Sequence, residues 1–382
     1  MSDRTRVAVV GAGVSGLALA ILLRRRGVRC DLYEKSTALG AVGAGIQLAP
    51  NGARILHELG AEHLMRRRGS TAEAIETRRW DDGALLSRIP HGRACEERFG
   101  APYYLIHRAD LQACLVDLLP PGALHLGRAV LGVEQHEDHV ELRVADGGTA
   151  TADVVIGADG VHSALRAAVV DDAPRFSGYS VYRGLVAAEA VPSFAADPRV
   201  MFWLGPGRHI TYYPVAAGRT VHFSAVCADA AGVAPRTRAV DTGQLVAEFD
   251  GWHEEVRQVL GAAGDVTRWG LFDRDLAERY CDRRVALMGD AAHPMLPYLS
   301  QGAGQALEDA LALADCLVSG ADLPSALRQY EKQRLARTAE VHRQSRLRAT
   351  TFHLADGPPQ RRRDAVLGDR RDLGHLEWLY GG

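Results

Sequence analysis

The amino-acid sequence predicts an α/β protein with one domain on a parallel sheet, a second domain on an antiparallel sheet, and a C-terminal helical segment. Three observations support this prediction. The chain opens with a strand, turn, helix and strand pattern, residues 176–272 are rich in strand-forming and aromatic residues, and the segment after residue 320 is charged with helical spacing. A chain of 382 residues also fits two domains better than one core.

The opening pattern contains a short apolar, β-branched run at 6–10 and an apolar-periodic segment at 14–26. These runs predict a strand and a helix joined by a glycine-rich turn. A second predicted strand, at 28–33, leads into Glu34. A strand–helix–strand unit of this kind places both strands side by side in a parallel sheet.

The turn carries Gly11, Gly13 and Gly16 in the spacing G-x-G-x-x-G. In Rossmann-like units the first glycine makes the turn, the second lets the backbone approach a pyrophosphate, and the third lets helix and strand pack closely. Glu34 follows 18 residues after Gly16, where a carboxylate can accept hydrogen bonds from ribose hydroxyls. A plain glycine turn in a packed α/β unit is the alternative. The complete order of strand, helix, strand and acid favours a dinucleotide site.

Composition restricts the partners of the chain. A formal net charge of −2 gives no electrostatic basis for binding nucleic acid. The six cysteines are scattered without a C-x-x-C pair or histidines at metal-ligand spacing, so we expect reduced thiols and no metal site. The first strand begins too early for a signal peptide, and no apolar run approaches the roughly 20 residues of a membrane span. We therefore expect a cytoplasmic protein that does not bind membranes.

The next elements alternate between helices and short strands. Flexible glycines between residues 40 and 45 are predicted to lead to a helix at 52–59. Residues 71–107 contain three alternating runs, with DDG between the first two, which predicts an antiparallel insertion with a hairpin. Helical spacing returns at 109–119, and Arg108 stands at the junction. That arginine could bind a phosphate or the edge of a cofactor, or it could be a surface charge that caps the helix.

Short strands are predicted between residues 123 and 144, and a fully apolar strand at 154–156. This apolar strand runs into Asp159 and Gly160, with a helical start predicted at 162–166. An Asp-Gly pair can serve as a simple left-handed turn. However, the carboxyl end of a buried strand is where parallel α/β sheets bind ligands, which favours a function.

Residues 176–272 carry alternating bulky residues and Gly-Pro turns, which predict an antiparallel sheet with one face on a cavity, interrupted by an amphipathic helix at 242–260. This is the predicted substrate domain. Another buried strand, within 283–290, ends at Asp290, and a loop leads to a helix at 306–317. Asp290 and the glycine-rich helix start that follows it form a second site where backbone N–H groups and a helix dipole favour an anion.

The G-x-G-x-x-G motif, a mid-chain GADG and a late GDAAHP…QGAG occur in this order over nearly the whole chain. Together they resemble the class A flavoprotein aromatic hydroxylases, the single-component FAD-dependent monooxygenases. GAGIQLAPN, IHRADLQ, SGYSVYRG and the terminal WLY are similar to the salicylate and 6-hydroxynicotinate hydroxylase branch. The resemblance implies a GR2-type, 4-hydroxybenzoate hydroxylase-like fold, divided as follows: FAD-binding domain, 1–70, 100–175 and 280–320; substrate domain, 71–99 and 176–279; C-terminal helices and tail, 321–382.

The resemblance also implies which residues contact FAD. They are expected at the pyrophosphate, the adenosine, the ribityl chain and the isoalloxazine ring, where a helix N-terminus would stabilise the anionic reduced ring. The residues are Gly11, Gly13, Ser15, Gly16, Glu34, Lys35, Gln47, Arg108, Val130, Asp159, Gly160, Asp290, Pro297, Gly302, Ala303 and Gly304.

The chemistry implied by the resemblance uses NADH or NADPH to reduce the flavin and O2 to form a flavin C4a-hydroperoxide. Its electrophilic oxygen attacks an electron-rich, phenolic aromatic acid, and attack at the carboxyl-bearing carbon would also remove the carboxylate. Alternatives are a tailoring hydroxylase or epoxidase for a larger phenolic or N-heterocyclic metabolite, an FAD-dependent oxidoreductase that inserts no oxygen, and a nucleotide-binding module without activity. We expect a monomer or a homodimer.

His209 and Tyr213 are the candidates for the catalytic base or proton relay. Four residues apart on a strand, they face the same side, and a histidine titrates near neutral pH. A similarly spaced pair addresses the substrate in the hydroxynicotinate branch; the alternative is a histidine that faces solvent or is bonded in the core. That branch carries a histidine where this chain has Gln47 and a cysteine where it has Val200. Five further residues could line the cavity or belong to the core: Tyr104, Tyr182, Arg183, Trp203 and Tyr212.

Overall fold

The computed structural model describes residues 5–40, 44–194, 197–229, 238–320 and 322–381. The glycine-rich segment predicted to be flexible therefore lies partly outside the described residues, at 41–43. The described strands are β1 (Val7–Val10), β2 (Cys30–Tyr33), β3 (Gly45–Leu48), β4 (Ser70–Thr71), β5 (Ala74–Arg79), β6 (Leu85–Pro90), β7 (Tyr104–His107), β8 (Leu124–His125), β9 (Val130–Gln135), β10 (Val140–Val144), β11 (Thr149–Ala152), β12 (Val154–Gly157), β13 (Arg175–Ala187), β14 (Arg199–Gly205), β15 (Arg208–Val215), β16 (Thr220–Ala228), β17 (Arg238–Val240), β18 (Val266–Asp273), β19 (Cys281–Asp282) and β20 (Val285–Leu287).

The described α-helices lie between these strands and in the C-terminal segment. They are α1 (Val14–Arg25), α2 (Pro50–Glu58), α3 (Glu62–Arg68), α4 (Gly92–Phe99), α5 (Arg108–Leu118), α6 (Thr242–Glu248), α7 (Glu254–Gly261), α8 (Gly302–Ser319), α9 (Leu323–Phe352), α10 (Pro358–Gly368) and α11 (Glu377–Tyr380). None of the helices in the described part of the chain is both long enough and apolar enough to cross a membrane.

A six-stranded sheet has the order β19-β20-β12-β1-β2-β8. All of its pairs are parallel except β19 with β20. Every residue of β1 is buried, because β1 is a central strand, is apolar throughout and lies beneath helices that cover the sheet. In this arrangement the carboxyl ends of β1, β2 and β12 meet at one edge, where Gly11, Glu34 and Ala158 follow the strands.

An eight-stranded sheet has the order β17-β18-β13-β16-β15-β14-β5-β6, and only β14 with β5 is parallel. Alternate residues face opposite sides of a strand, so each strand has two roles. Tyr182, Trp203, Tyr212 and Phe223 pack on one face into a core with α6 and α7. The residues between them point to the opposite face.

The strands of the two large sheets come from separate parts of the chain. The six-stranded sheet draws on residues 7–33, 124–157 and 281–287, and the eight-stranded sheet on 74–90 and 175–273. Two small sheets, β3-β7-β4 and β11-β10-β9, complete the described topology. This distribution is compatible with the predicted domain boundaries, which stay a prediction.

Three local expectations were wrong. The helix predicted at 242–260 is broken into α6 and α7, because Gly251 adopts φ +74° between them. The run at 103–107 does not join the hairpin of β5 and β6, since helix α4 intervenes and β7 pairs with β3 and β4 instead. The helical start predicted at 162–166 is only a single 3-10 turn at Arg166–Ala168.

Candidate active site

A cavity of about 780 Å³ lies between the carboxyl edge of the six-stranded sheet and the free face of the eight-stranded sheet. Of the predicted cofactor-binding residues, all except Gly16 and Gly304 line it, and so do both catalytic candidates. Residues far apart in sequence thus contribute to one continuous space, which extends from the glycine-rich turn after β1 to the strands of the eight-stranded sheet.

The nucleotide end begins at the turn after β1. Gly11 adopts φ +107°, and a Cβ there would lie 2.3 Å from the carbonyl oxygen of Ala158, so only glycine fits. A Cβ on Gly16 would lie 2.0 Å from the carbonyl oxygen of Gly11, which makes Gly16 a packing residue. Gly13 has open space around its missing Cβ, and α1 starts beside it without a side-chain cap. Free N–H groups at an open helix N-terminus fit a pyrophosphate.

Glu34 connects the two strand ends at this edge. Its Oε2 accepts from the backbone N–H of Ala12 at 2.9 Å, and its Oε1 accepts from the N–H of Ser36 at 2.8 Å. Each carboxylate oxygen keeps a further lone pair for a ribose hydroxyl. Lys35 and Val130 line the same end of the cavity.

Two aspartates with different environments line the middle of the cavity. Asp159 accepts from the hydroxyl of Ser163 at 2.6 Å and from the N–H of Ala164 at 2.7 Å, so it organises its own loop. Its neighbour Gly160 has φ +84° and open space at the Cβ position. Asp290 is surrounded by protein, which raises its pKa through desolvation, yet its side chain is exposed to the cavity. Among the described residues the side chain of Asp290 has no hydrogen-bond partner, so of the two carboxylates it is the one that can receive a ligand.

Helix α8 points its N-terminus into the cavity without a side-chain cap, and Pro297, Gly302 and Ala303 line the space around it. Gly304 lies behind them, because its missing Cβ faces the side chains of Asn51 and Gln301 at 3.1 and 3.2 Å. The close packing of α2 against α8 therefore explains why position 304 is a glycine. Arg108, as the first residue of α5, also lines the cavity.

At the substrate end, side chains from three neighbouring strands form rows across the sheet. Arg183, Ser224 and Thr211 occupy one row, since Arg183 pairs with Ser224 and Ser224 with Thr211. His209 and Tyr213 stand on either side of Thr211 along β15, in the adjacent rows. The hydroxyl oxygen of Thr211 is buried and has no hydrogen-bond partner in the described part of the chain.

His209 and Tyr213 are both buried and uncharged at neutral pH. Desolvation, together with the neighbouring His353, lowers the pKa of His209 well below its ordinary value. Desolvation also raises the pKa of Tyr213, although Arg183 and a hydrogen bond with Gln47 act in the opposite direction. His209 is therefore available as an acceptor, and Tyr213 as a donor.

Arg183 is a candidate binding residue that the sequence did not single out, since it was considered only as one of several cavity or core residues. It is half-buried and lines the cavity, and within the described ranges its guanidinium has neither an ion pair nor a side-chain hydrogen bond. Desolvation lowers its pKa. An arginine so placed can bind an anionic ligand. The alternating pattern of β13 predicts that Arg183 and Tyr182 face opposite sides of the sheet. It does not reveal that the guanidinium has no partner among the described residues.

The other aromatic candidates belong to the core. Trp203 donates from Nε1 to the hydroxyl of Tyr212 at 3.0 Å, and Tyr104 contacts His57 at 3.0 Å. Neither these residues nor Tyr182 lines the cavity. The structure adds other lining residues instead: Phe202, Met295, Leu296, Tyr298 and Ser300.

Comparisons with known proteins agree with this geometry. A family model described as FAD binding domain matches residues 4–345. The 3-amino-4-hydroxybenzoate 2-monooxygenase of Streptomyces cremeus is 59% identical over 384 residues, which cover 100% of this chain and 96% of the relative.

Two solved structures share the whole fold. HpxO of Klebsiella pneumoniae, complexed with FAD and uric acid, has a TM-score of 0.87 at 29% identity, covering 100% of this chain and 96% of that one. A salicylate hydroxylase substrate complex has a TM-score of 0.83 at 30% identity, with the same coverage of 100% and 96%. The predicted fold class, the FAD cofactor and the resemblance to class A hydroxylases are confirmed. The chain belongs to the FAD binding domain family, and within it to the FAD-dependent monooxygenases that use NAD(P)H and O2 to hydroxylate aromatic acids.

Proposed function

We propose that this monooxygenase hydroxylates 3-amino-4-hydroxybenzoate at C2 and leaves the carboxylate in place. The observation that carries the proposal is the 59% identity to a Streptomyces cremeus enzyme named for this reaction. The free cation of Arg183 in the cavity supports it independently, because the substrate is an anion.

The residues that line the cavity fit FAD. Gly11, Gly13 and Ser15 would hold the pyrophosphate, Glu34 and Lys35 the adenosine ribose, and Val130 the adenine. Arg108, Asp159 and Gly160 would lie along the cofactor, with Asp290 at the ribityl chain. Gln47, Pro297, Gly302 and Ala303 would surround the ring. Gly16 and Gly304 would act through packing. When bound, FAD supplies electron transfer from NAD(P)H and activation of O2 for insertion of one oxygen atom into the ring.

The polar row across the sheet suggests how the substrate is oriented. Arg183 and Thr211 lie two strands apart, about 10 Å between strand axes at ordinary sheet spacing. Arg183 would bind the carboxylate in a forked pair, while His209 would accept a hydrogen bond from the ring hydroxyl. The unpaired hydroxyl of Thr211 is then the acceptor for the amino group. The benzoate ring would span the space between these groups.

The chemistry of the ring is consistent with this orientation. C2 is adjacent to the amino-bearing carbon, so the nitrogen lone pair raises the electron density where oxygen is inserted. Ionisation of the hydroxyl by His209 would raise the electron density mainly at the positions ortho and para to the oxygen, so the amino group remains the main activating substituent at C2. The neutral state of His209 is required for this role, because an imidazolium cannot accept a proton.

A direct experiment tests the proposal. Purified enzyme loaded with FAD is given NADH or NADPH, labelled O2 and 3-amino-4-hydroxybenzoate, and the product is analysed by mass spectrometry and NMR. We expect one labelled oxygen atom at C2 and an intact carboxylate. A product without label would favour an oxidoreductase that inserts no oxygen, and loss of CO2 would show attack at C1 instead.

We also infer a cytoplasmic location, which is supported by the need for NAD(P)H and by the free state of all six cysteines. A monomer or a homodimer is proposed as the oligomeric state. Light scattering of the FAD-loaded protein would measure it.

A further inference from the structure

The imidazole ring of His209 contacts the ring of a second histidine, His353. Its Nδ1 lies 2.8 Å from Nε2 of His353, and the two ring centroids are 5.0 Å apart with planes at 28°. This is the geometry of an N–H···N hydrogen bond in the plane of the rings. His209 lines the cavity, whereas His353 follows the last residue of α9 and stacks on the half-buried ring of Tyr179, at a centroid distance of 4.5 Å.

The hydrogen bond restricts where the protons lie. Desolvation lowers the pKa of both rings, that of His353 to about 4, so each ring carries one proton at neutral pH. The backbone acceptor near the other nitrogen of His353 is the carbonyl of Ala349, although this contact falls short of a full hydrogen bond. With its proton turned to Ala349, His353 accepts at Nε2 and His209 donates from Nδ1. The lone pair of His209 then lies on Nε2, the ring nitrogen left for the cavity.

The surroundings of the pair do not trap a positive charge. His209 contacts Tyr298, Phe352 and His353, and His353 contacts Tyr179 and Tyr298. The charged group that acts on His353 is Arg363, which disfavours a second cation. In the described part of the chain neither imidazole pairs with a carboxylate. A proton that arrives on this pair is therefore passed on. His353 retains 8% of its surface exposed, but its Nδ1 is covered in this conformation, so release of the Nδ1 proton to solvent requires the imidazole ring to shift away from the carbonyl of Ala349.

We propose that His353 is the second member of a proton relay from the substrate to solvent. The proton of the substrate hydroxyl moves to Nε2 of His209, the proton on Nδ1 of His209 moves to Nε2 of His353, and His353 releases its own Nδ1 proton to water when its ring shifts beside Tyr179. The substrate loses one proton and solvent gains one, without electron transfer. The inference rests on the proposed role of His209 as acceptor of the hydroxyl proton.

The relay is tested on the oxidised, FAD-loaded enzyme with 4-hydroxy-3-nitrobenzoate, whose phenolate absorbs in the visible. Stopped-flow absorbance measures the rate at which the bound phenol ionises. His353→Gln keeps an oxygen that can accept from Nδ1 of His209 but cannot pass a proton on, whereas His353→Phe removes both properties. Tyr179→Phe is the control, because it keeps the ring that stacks on His353. FAD content and circular dichroism verify that each variant is folded.

The relay predicts that ionisation slows by about tenfold or more in both His353 variants, is partly restored by imidazole in the buffer, and is unchanged in Tyr179→Phe. A wild-type rate in His353→Gln would overturn it and reduce His353 to holding the orientation of His209. A wild-type enzyme that ionises no bound phenol would overturn the relay together with the base role of His209. In that case, labelled product from 3-amino-4-hydroxybenzoate would show that the proposed reaction still stands.

Discussion

Arg334 donates from Nε to Oδ1 of Asp309 at 2.7 Å, and Asp309 is fully buried. The other carboxylate oxygen accepts from the backbone N–H of Gly289 at 2.8 Å and from Nε2 of His293 at 2.5 Å. Since Gly289 precedes Asp290, one buried carboxylate joins α8 and α9 to the loop that carries a predicted cofactor contact.

Replacing Asp309 by Asn should therefore destabilise the fold and weaken FAD binding. Removal of one member of a buried ion pair leaves an uncompensated charge and costs about 3–5 kcal/mol. Urea unfolding and FAD titration would measure the two effects. Asp315→Asn is the matched control, because Asp315 lies on the same helix in an exposed ion pair with Arg26, worth about 0–1 kcal/mol. Equal stabilities of the two variants would contradict the role of Asp309.

The same carboxylate predicts a pH dependence. Burial alone would raise the pKa of Asp309, but His293 and Arg334 outweigh it and lower the pKa to about 2. In the unfolded chain an aspartate has a pKa of about 3.9. The stabilisation is then complete above about pH 4 and is lost as the pH falls towards 2. The difference in unfolding free energy between wild type and Asp309→Asn should shrink over that interval, and a constant difference would exclude this origin.

Gly13→Ala should weaken FAD binding without affecting the fold. Gly13 has φ −74°, which alanine adopts readily, and no atom lies within 4 Å of the added Cβ. The methyl group would occupy the space through which the pyrophosphate approaches the backbone, so we expect affinity to fall by about tenfold. Gly261→Ala, which also adds a methyl group in open space but on α7, is the control. An unchanged FAD dissociation constant would place the pyrophosphate elsewhere.

Arg183→Gln should raise KM for the aromatic acid while FAD binding stays constant. Loss of a forked contact to a carboxylate in a protein-surrounded cavity costs about 2–5 kcal/mol, which is a rise of about 30-fold or more. Arg175→Gln is the matched control, because Arg175 begins the same strand but forms an exposed ion pair with Asp275. Steady-state kinetics and FAD fluorescence separate the two effects. If KM is unchanged, the carboxylate does not bind at Arg183.

Substrate analogues should show which ring substituent directs oxygen insertion. Attack at C2 requires the neighbouring amino group, so 3-aminobenzoate should give hydroxylated product, although more slowly. By contrast, 4-hydroxybenzoate should stimulate NAD(P)H oxidation with little hydroxylation, because its hydroxyl group is meta to C2. Product yield per NAD(P)H consumed measures this. Efficient hydroxylation of 4-hydroxybenzoate would contradict the proposed regiochemistry.

Short-range features were predictable from sequence. The spacing of Gly11 and Gly13 specified a turn that the structure reproduces, because a left-handed residue followed by a helix start is a local property of the backbone. The strand period likewise placed His209 and Tyr213 on one face, and both line the cavity. The other predicted cofactor contacts came from the family resemblance and not from a local pattern in the sequence.

Long-range pairing was not predictable. His353 lies 144 residues from His209, and nothing in its local sequence distinguishes it from an ordinary helix end. The unpaired state of Arg183 depends on three strands that meet only in the folded sheet. The predicted cofactor contact of Gly304 stays a prediction, while the structure adds a packing reason for this glycine that the motif alone did not indicate.

Helix α9 spans Leu323–Phe352 without interruption, with Arg334 in its first half and His353 immediately after its end. At 1.5 Å per residue these two positions are roughly 28 Å apart on one rigid rod. Since one helix places both residues, an insertion or a bend between them should disturb FAD binding and the proposed proton relay together.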